Sequence, residues 1–177
     1  MDELQSIANE WNIPIIEDAA HAVGAKYKGI DIGSISDFTI FSFQAIKHIT
    51  TGDGGMLIIK NKDLIDKAER IRWFGIDRKS KQAGIWENDI TEIGYKYQMT
   101  DIAAAMGIAA LSEFDEQSQI RKALFQVYEE ELVSCERLRV LGGGYKDREH
   151  AAWLFTVIVE ERYKLQEKLR DNNIESN

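Results

Sequence analysis

The chain has 177 residues, room for one domain of ordinary size and part of another. Apolar residues make up 44% and charged residues 29%, which excludes a disordered chain and indicates one that builds a core. With 22 Lys and Arg against 30 Asp and Glu the net charge is −8, which excludes a general binder of nucleic-acid backbones, since such a binder needs a basic face. No run of about 18 apolar residues occurs, so no membrane-spanning helix is expected. Met1-Asp2-Glu3-Leu4 lacks the basic and apolar segments of a secretory signal, so the expected compartment is the cytoplasm. The lone Cys135 excludes an internal disulfide and a multi-cysteine zinc site.

In chain order, Leu4, Ile7, Ala8 and Trp11 recur at helical spacing and predict a helix over Asp2 to Trp11. Ile13-Pro14-Ile15-Ile16 is a continuous apolar run ending in Glu17-Asp18, the pattern of a strand covered on both faces in a mostly parallel sheet. Phe38 to Phe43 and Gly55 to Ile59 predict two further strands, and Asp63 to Phe74 a helix. From Gly75 to Gln98 periodicity is lost, and a loop of that length in a compact domain is functional or mobile.

Thr100 and Asp101 are start signals for a helix whose run Ile102 to Gly107 is small and apolar on several faces, which predicts burial on more than one side, against the sheet or another subunit. A long charged helix is expected from about Glu116 to Ser134, a break at Gly142-Gly143-Gly144, a strand from Trp153 to Val159 and a last helix from Glu161 to Asn172. Strands alternating with helices indicate an α/β chain. The late strand and helix suggest two parts, 1–117 and 118–177.

In an open parallel sheet, ligands bind beyond the carboxyl ends of the strands. Asp18 closes the first strand there, His21 follows it, Ser42 ends the second strand, and Lys47 comes five residues later. Each has an ordinary reading. An Asp after a strand caps a helix, a Ser at a strand end bonds locally, and a loop lysine is a solvated charge. His21 and His48 have no ligand partner nearby in sequence, so no metal site is expected. Thr50-Thr51-Gly52-Asp53-Gly54-Gly55 alone reads as a turn between strands. It is not a phosphate-binding P-loop, because the lysine precedes the glycines.

Together these pieces are less ordinary. Glu17-Asp18-Ala19-Ala20-His21-Ala22, the run from Phe41-Ser42-Phe43 through Lys47 to Gly55, and Gly94-Tyr95-Lys96-Tyr97-Gln98-Met99-Thr100-Asp101 stand in one order along the chain. In that order and spacing the chain resembles, from end to end, the sugar aminotransferases of the DegT/DnrJ/EryC1/StrS family. The resemblance implies a fold type I, pyridoxal-phosphate-dependent large domain, with a mostly parallel sheet and flanking helices, followed by the start of a small α+β C-terminal domain. It implies transfer of an amino group from an amino acid, glutamate by expectation, to a nucleotide-linked keto-sugar in polysaccharide or deoxyaminosugar biosynthesis. The cycle would be ping-pong, in a homodimer or higher homo-oligomer, with no nucleic-acid or membrane partner.

By the same resemblance, Lys47 forms the Schiff base with the cofactor aldehyde and then moves the proton between substrate and cofactor. That role requires an amine able to shed its own proton. Asp18 matches the carboxylate that keeps the pyridine nitrogen protonated, so that the ring serves as an electron sink. His21 matches a position beside the cofactor ring oxygen, and Ser42 a phosphate ligand. Lys96 stands where many relatives carry Asn, reaching the phosphate of the neighbouring subunit, and a lysine does this as a point charge. Relatives are roughly twice as long, with a phosphate cup and a ring-stacking aromatic ahead of the part that Met1 begins, so a partial frame is expected. The alternatives are a deoxysugar dehydratase of the same family, against which Lys47 speaks, and a non-catalytic remnant that folds and oligomerises.

Overall fold

The structure, a computed structural model, describes residues 1–86, 90 and 92–177. Helix α1 spans Asp2–Trp11, as the spacing predicts, with Asp2 and Glu3 complementing the dipole of its first turn. It ends at Asn12, whose left-handed φ of 51° lets its N–H return to Ala8 and Asn9. Strand β1 follows at Ile16–Asp18, later than the expected Ile13 start, because Ile13 still bonds back to the helix at Ala8. Short strands β2 (Lys26–Tyr27) and β3 (Ile30–Asp31) precede β4 (Phe38–Ser42) and β5 (Gly55–Ile59).

The main sheet runs β1-β4-β5, with β1 parallel and β5 antiparallel to β4. Within this chain β1 is therefore an edge strand and not the covered central one its apolar run predicts, and Ile16 is 66% exposed. Register sorts the side chains. Thr39 and Phe41 point to the covered face, where Phe41, Phe43, Ala19 and Ile49 form the core cluster. Burying the two phenylalanines contributes about 1.5–3 kcal/mol each. Asp18 pairs with Ile40, which is exposed, and Ser42 lies two residues further along β4, so Asp18 and Ser42 share the opposite face.

The expected helix after β5 forms as a 3-10 turn, Lys62–Leu64, leading into α2, Ile65–Arg72. The aperiodic stretch holds one short helix, α3, Arg78–Gln82, capped by Asp77. Glu87, Asn88, Asp89 and Thr91 of that stretch lie outside the described residues.

Helix α4 runs unbroken from Asp101 to Leu132, about 48 Å at 1.5 Å per residue, where two helices were expected. Thr100 caps it by accepting from the Ala103 N–H at 3.2 Å. Ala103, Gly107, Ala110, Phe114, Ser118, Arg121 and Phe125 recur at helical spacing and are all at least partly covered, so one stripe faces the rest of the chain along most of the helix. Within this chain the rest of the structure covers one side of the helix start. Ile102, Ile108 and Leu111 are 79%, 71% and 61% exposed. The small residues serve close approach: a Cβ at Gly107 would come within 2.9 Å of the Thr51 methyl.

Strand β6 (Leu138–Leu141), not expected from the sequence, pairs antiparallel with β8 (Thr156–Val159), and α5 (Arg162–Asp171) follows. The predicted strand at Trp153 begins three residues later, because Ala152 adopts a left-handed φ of 54° and bends the chain. Strand β7 (Arg148–Glu149) pairs with β2, so residues beyond 118 join a sheet with the first part of the chain.

Candidate active site

The parallel ladder of β1 and β4 places the carboxyl ends of both strands side by side. Asp18, the last residue of β1, is exposed, and its Oδ1 accepts from the Ala20 N–H at 3.1 Å. That bond is the ordinary turn-capping role, and it leaves the second carboxylate oxygen open. The ladder continues through the Ala19 N–H to the Ile40 carbonyl, and a turn from Ala19 to Ala22 carries His21 out beside the strand ends.

Ser42 ends β4, and its Oγ accepts from the Gln44 N–H at 3.3 Å. Beyond it, residues 43–54 form a closed loop: the Phe43 N–H donates to the Gly54 carbonyl at 2.8 Å, and the Thr51 N–H to the Phe43 carbonyl at 2.9 Å. The Thr-Thr-Gly-Asp stretch is the closing limb of this loop. The Thr50 hydroxyl accepts from the Gly52 N–H, and the Thr51 hydroxyl donates to the Asp53 carbonyl. Ile49 and Thr51 are buried and anchor the loop, while Lys47 stands in its outer part, half-buried.

Lys47 and His21 meet on one side chain that sequence reasoning did not single out. The Lys47 Nζ lies 4.1 Å from the centre of the Trp153 ring, and the His21 imidazole stacks on the same residue at 3.8 Å between centroids. A cation over an indole is worth about 0.5–1 kcal/mol where solvent reaches it. The Trp153 Nε1–H donates to the Ile46 carbonyl at 3.0 Å, and His48 Nε2 donates to the Ala151 carbonyl at 2.9 Å. Among the described residues neither Asp18 nor Lys47 enters an ion pair.

Burial holds the His48 imidazole below the usual histidine range. The Ala151 carbonyl works against that shift, and the positive charge of Arg121 adds to it. Burial also lowers His150, whose Nδ1 accepts from the Ala152 N–H at 2.9 Å. The left-handed Ala152 between them costs about 1–2 kcal/mol for a residue with a Cβ.

Asp18 and His21 line a cleft of about 290 Å³ with Tyr27, Ile32, Arg148 and His150. A larger cleft of about 620 Å³ lies between the second half of α4 and residues 142–152 and shares Arg148, Glu149 and His150 with the first. Lys96 does not join the group. It is exposed and forms an isolated bridge with Trp73, flanked by the stacked rings of Tyr95 and Tyr97 at 4.9 Å. The one sequence signal for Trp153 was its indole N–H, a donor that seeks a partner when half-buried.

A family model described as the DegT/DnrJ/EryC1/StrS aminotransferase family matches residues 1–177. The UDP-4-amino-4,6-dideoxy-N-acetyl-beta-L-altrosamine transaminase of Campylobacter jejuni is 41% identical over 74% of this chain and 34% of its own length. The GDP-perosamine synthase of Escherichia coli O157:H7 is 33% identical over 99% of this chain and 47% of its own. Among solved structures, AtS13 from Actinomadura melliaura superposes with a TM-score of 0.90 at 35% identity, covering 98% of this chain and 48% of that one. The sugar aminotransferase CalS13 from Micromonospora echinospora superposes with a TM-score of 0.89 at 28% identity, over 97% and 48%, and Spr1654 from Streptococcus pneumoniae, in its PLP form, with a TM-score of 0.79 at 32% identity, over 97% and 45%. The chain thus spans half or less of the length of the curated relatives it matches.

Proposed function

The chain belongs to the DegT/DnrJ/EryC1/StrS aminotransferase family, and from that premise we propose that it carries the reactive amine of a pyridoxal-phosphate site that aminates a nucleotide-linked keto-sugar. Glutamate is the amino donor in this reading, the working form is a homodimer or higher homo-oligomer, and the compartment is the cytoplasm. The relatives' names, a UDP-sugar transaminase and a GDP-perosamine synthase, support the substrate class. No helix among the described residues is long and apolar enough to cross a membrane.

The observation that carries the reading is the meeting of Lys47 and His21 on one indole, beside the strand ends that hold Asp18 and Ser42. The donor set fits the cofactor: an amine outside any ion pair, a carboxylate with one open oxygen, an imidazole and a hydroxyl. When bound, pyridoxal phosphate supplies an aldehyde and an electron-withdrawing ring. Asp18 would hold a proton on the pyridine nitrogen, His21 would sit beside the ring oxygen, and the Ser42 hydroxyl would donate to the phosphate. Lys47 would supply the amine for the aldehyde and the base for the substrate's carbon-bound proton. Lys96, held away from this group, would offer its charge to the phosphate in a second subunit. Residues 1–117 carry the proposed reacting groups and 118–177 the start of the small domain, whose Trp153 reaches Lys47, with α4 shared by both.

The test treats the 177-residue chain with pyridoxal phosphate and borohydride and maps the reduced adduct by peptide mass. The label is expected on the peptide carrying Lys47 and absent there in Lys47→Ala. Equal labelling of Lys47 and surface lysines such as Lys146 and Lys164 overturns the reading.

A further inference from the structure

Lys47 is tied down on both sides by one distant segment. Ile46, just before it, accepts from the Trp153 indole N–H at 3.0 Å, and His48, just after it, donates to the Ala151 carbonyl at 2.9 Å. These partners are 107 and 103 residues apart in the chain. The indole also carries the Lys47 Nζ at 4.1 Å and stacks on His21 at 3.8 Å. Ala151 and Ala152 are buried, and Ala152 is held left-handed at φ 54°, with its N–H closed onto His150 Nδ1. An alanine keeps such a conformation only where its surroundings over-determine it. The indole that follows this bend reaches the lysine loop.

We propose that Ala151–Trp153 is a strap that positions Lys47, with Trp153 the positioning residue that aims the amine. The proposal rests on the reading of Lys47 as the cofactor-binding amine. A lysine in an exposed loop has a flexible four-carbon stem and many rotamers to lose. Holding the Ile46 carbonyl and the His48 side chain, and seating the head on an aromatic ring, removes much of that freedom before a cofactor arrives, which is preorganisation of a reacting group. The contact to the ring is weak enough to be surrendered when the amine reacts. Trp153 acts through Lys47 and His21 and takes no proton itself.

Two variants of the 177-residue chain test this. Trp153→Phe keeps a ring and loses the indole N–H, and Trp153→Leu loses both. Pyridoxal phosphate with borohydride is the probe, and labelling at Lys47 is read against Lys146 and Lys164 in the same digest. Losing one hydrogen bond and one cation–π contact lowers the relative rate at Lys47 about tenfold in Trp153→Leu, and losing the hydrogen bond alone about threefold in Trp153→Phe. A merely structural role would loosen the fold and raise labelling generally, which circular dichroism and the reference lysines report. A second readout needs no cofactor. With carbon-13-labelled lysine, the Lys47 Cε protons are shifted upfield by the indole ring current in the parent chain, and the shift is lost in Trp153→Leu. Equal Lys47 selectivity in parent and Trp153→Leu, or no upfield shift in the parent, overturns the strap. An upfield shift lost in Trp153→Leu, with unselective labelling of the parent, supports the strap and sinks the cofactor assignment instead.

Discussion

Gly94→Ala isolates the packing of the segment that carries Lys96. A Cβ built at Gly94 falls 1.8 Å from the Gly75 nitrogen and 2.4 Å from the Phe74 carbonyl carbon, both backbone atoms that cannot swing aside. The clash itself would cost far more than the protein's margin, so the chain escapes by lifting residues 94–97 off residues 71–75. That release sets the ceiling on the penalty. It breaks three backbone hydrogen bonds: Tyr95 N–H to Ile71 at 2.7 Å, Phe74 N–H to Tyr95 at 3.0 Å and Tyr97 N–H to Arg72 at 3.0 Å. At about 1 kcal/mol each the expected loss is about 3 kcal/mol. Urea denaturation of parent and variant measures it, and amide exchange at Phe74, Tyr95 and Tyr97 shows whether the segment has lifted. Gly144→Ala is the control. Its Cβ meets nothing within 4 Å, but its φ of 74° charges alanine about 1–2 kcal/mol with no local release. A loss below about 0.5 kcal/mol in Gly94→Ala, with the three amides still protected, refutes the close approach of the two backbones.

Asp18→Asn keeps an oxygen for the Ala20 N–H, so its unfolding free energy from urea denaturation is expected within about 0.5 kcal/mol of the parent. On the proposed reading, pyridoxal-phosphate-supported amino transfer would fall about a hundredfold or more, because an amide does not hold the pyridinium proton. Unchanged transfer would leave Asp18 as a turn cap only. His48 and His150 give a pH dependence. Both are lowered in the folded chain, chiefly by burial, so the unfolded chain binds protons first, and stability present above about pH 6.5 is lost as pH falls through that value toward the folded pKa. For His150 the proton also occupies the Nδ1 that accepts from Ala152. Urea midpoints at pH 8, 7, 6 and 5.5 are expected to fall in the parent and to flatten in a His48→Gln, His150→Gln variant. Parallel slopes in the two chains would refute it.

Local signals carried much of the fold. Helix α1, strands β4 and β5 and the Thr100 cap follow from spacing and cap chemistry that act within a few residues. What the pattern could not settle was partnership. Ile13 to Ile16 reads as a covered strand because apolar runs report burial and not what provides it, and within this chain β1 lies at the sheet edge. The small apolar start of α4 reads as a helix covered on several sides for the same reason. Within this chain its glycine and alanines let one stripe come close to Thr51 and Phe41's neighbours. The unbroken course of α4 was hidden by a change of composition near residue 116, since its covered stripe narrows while the backbone runs on.

The candidate site divides along the same line. Asp18, His21, Ser42 and Lys47 were visible because they end or follow strands in one collinear stretch, and register alone puts Asp18 and Ser42 on one face. Trp153 was invisible because its role depends on a contact made more than a hundred residues away and on a left-handed alanine that no propensity favours. Its consequence for the chemistry is direct. A lysine that is to meet an aldehyde must be both free to react and held in place, and the sequence motif supplies only the amine. Here the hold comes from two hydrogen bonds on its neighbours and one ring beneath its head, all from a segment 103 to 107 residues further on. On the proposed reading the segment from Ala151 to Trp153 belongs to the site as much as the motif does, and changes in it are expected to act on the amine before they act on the fold.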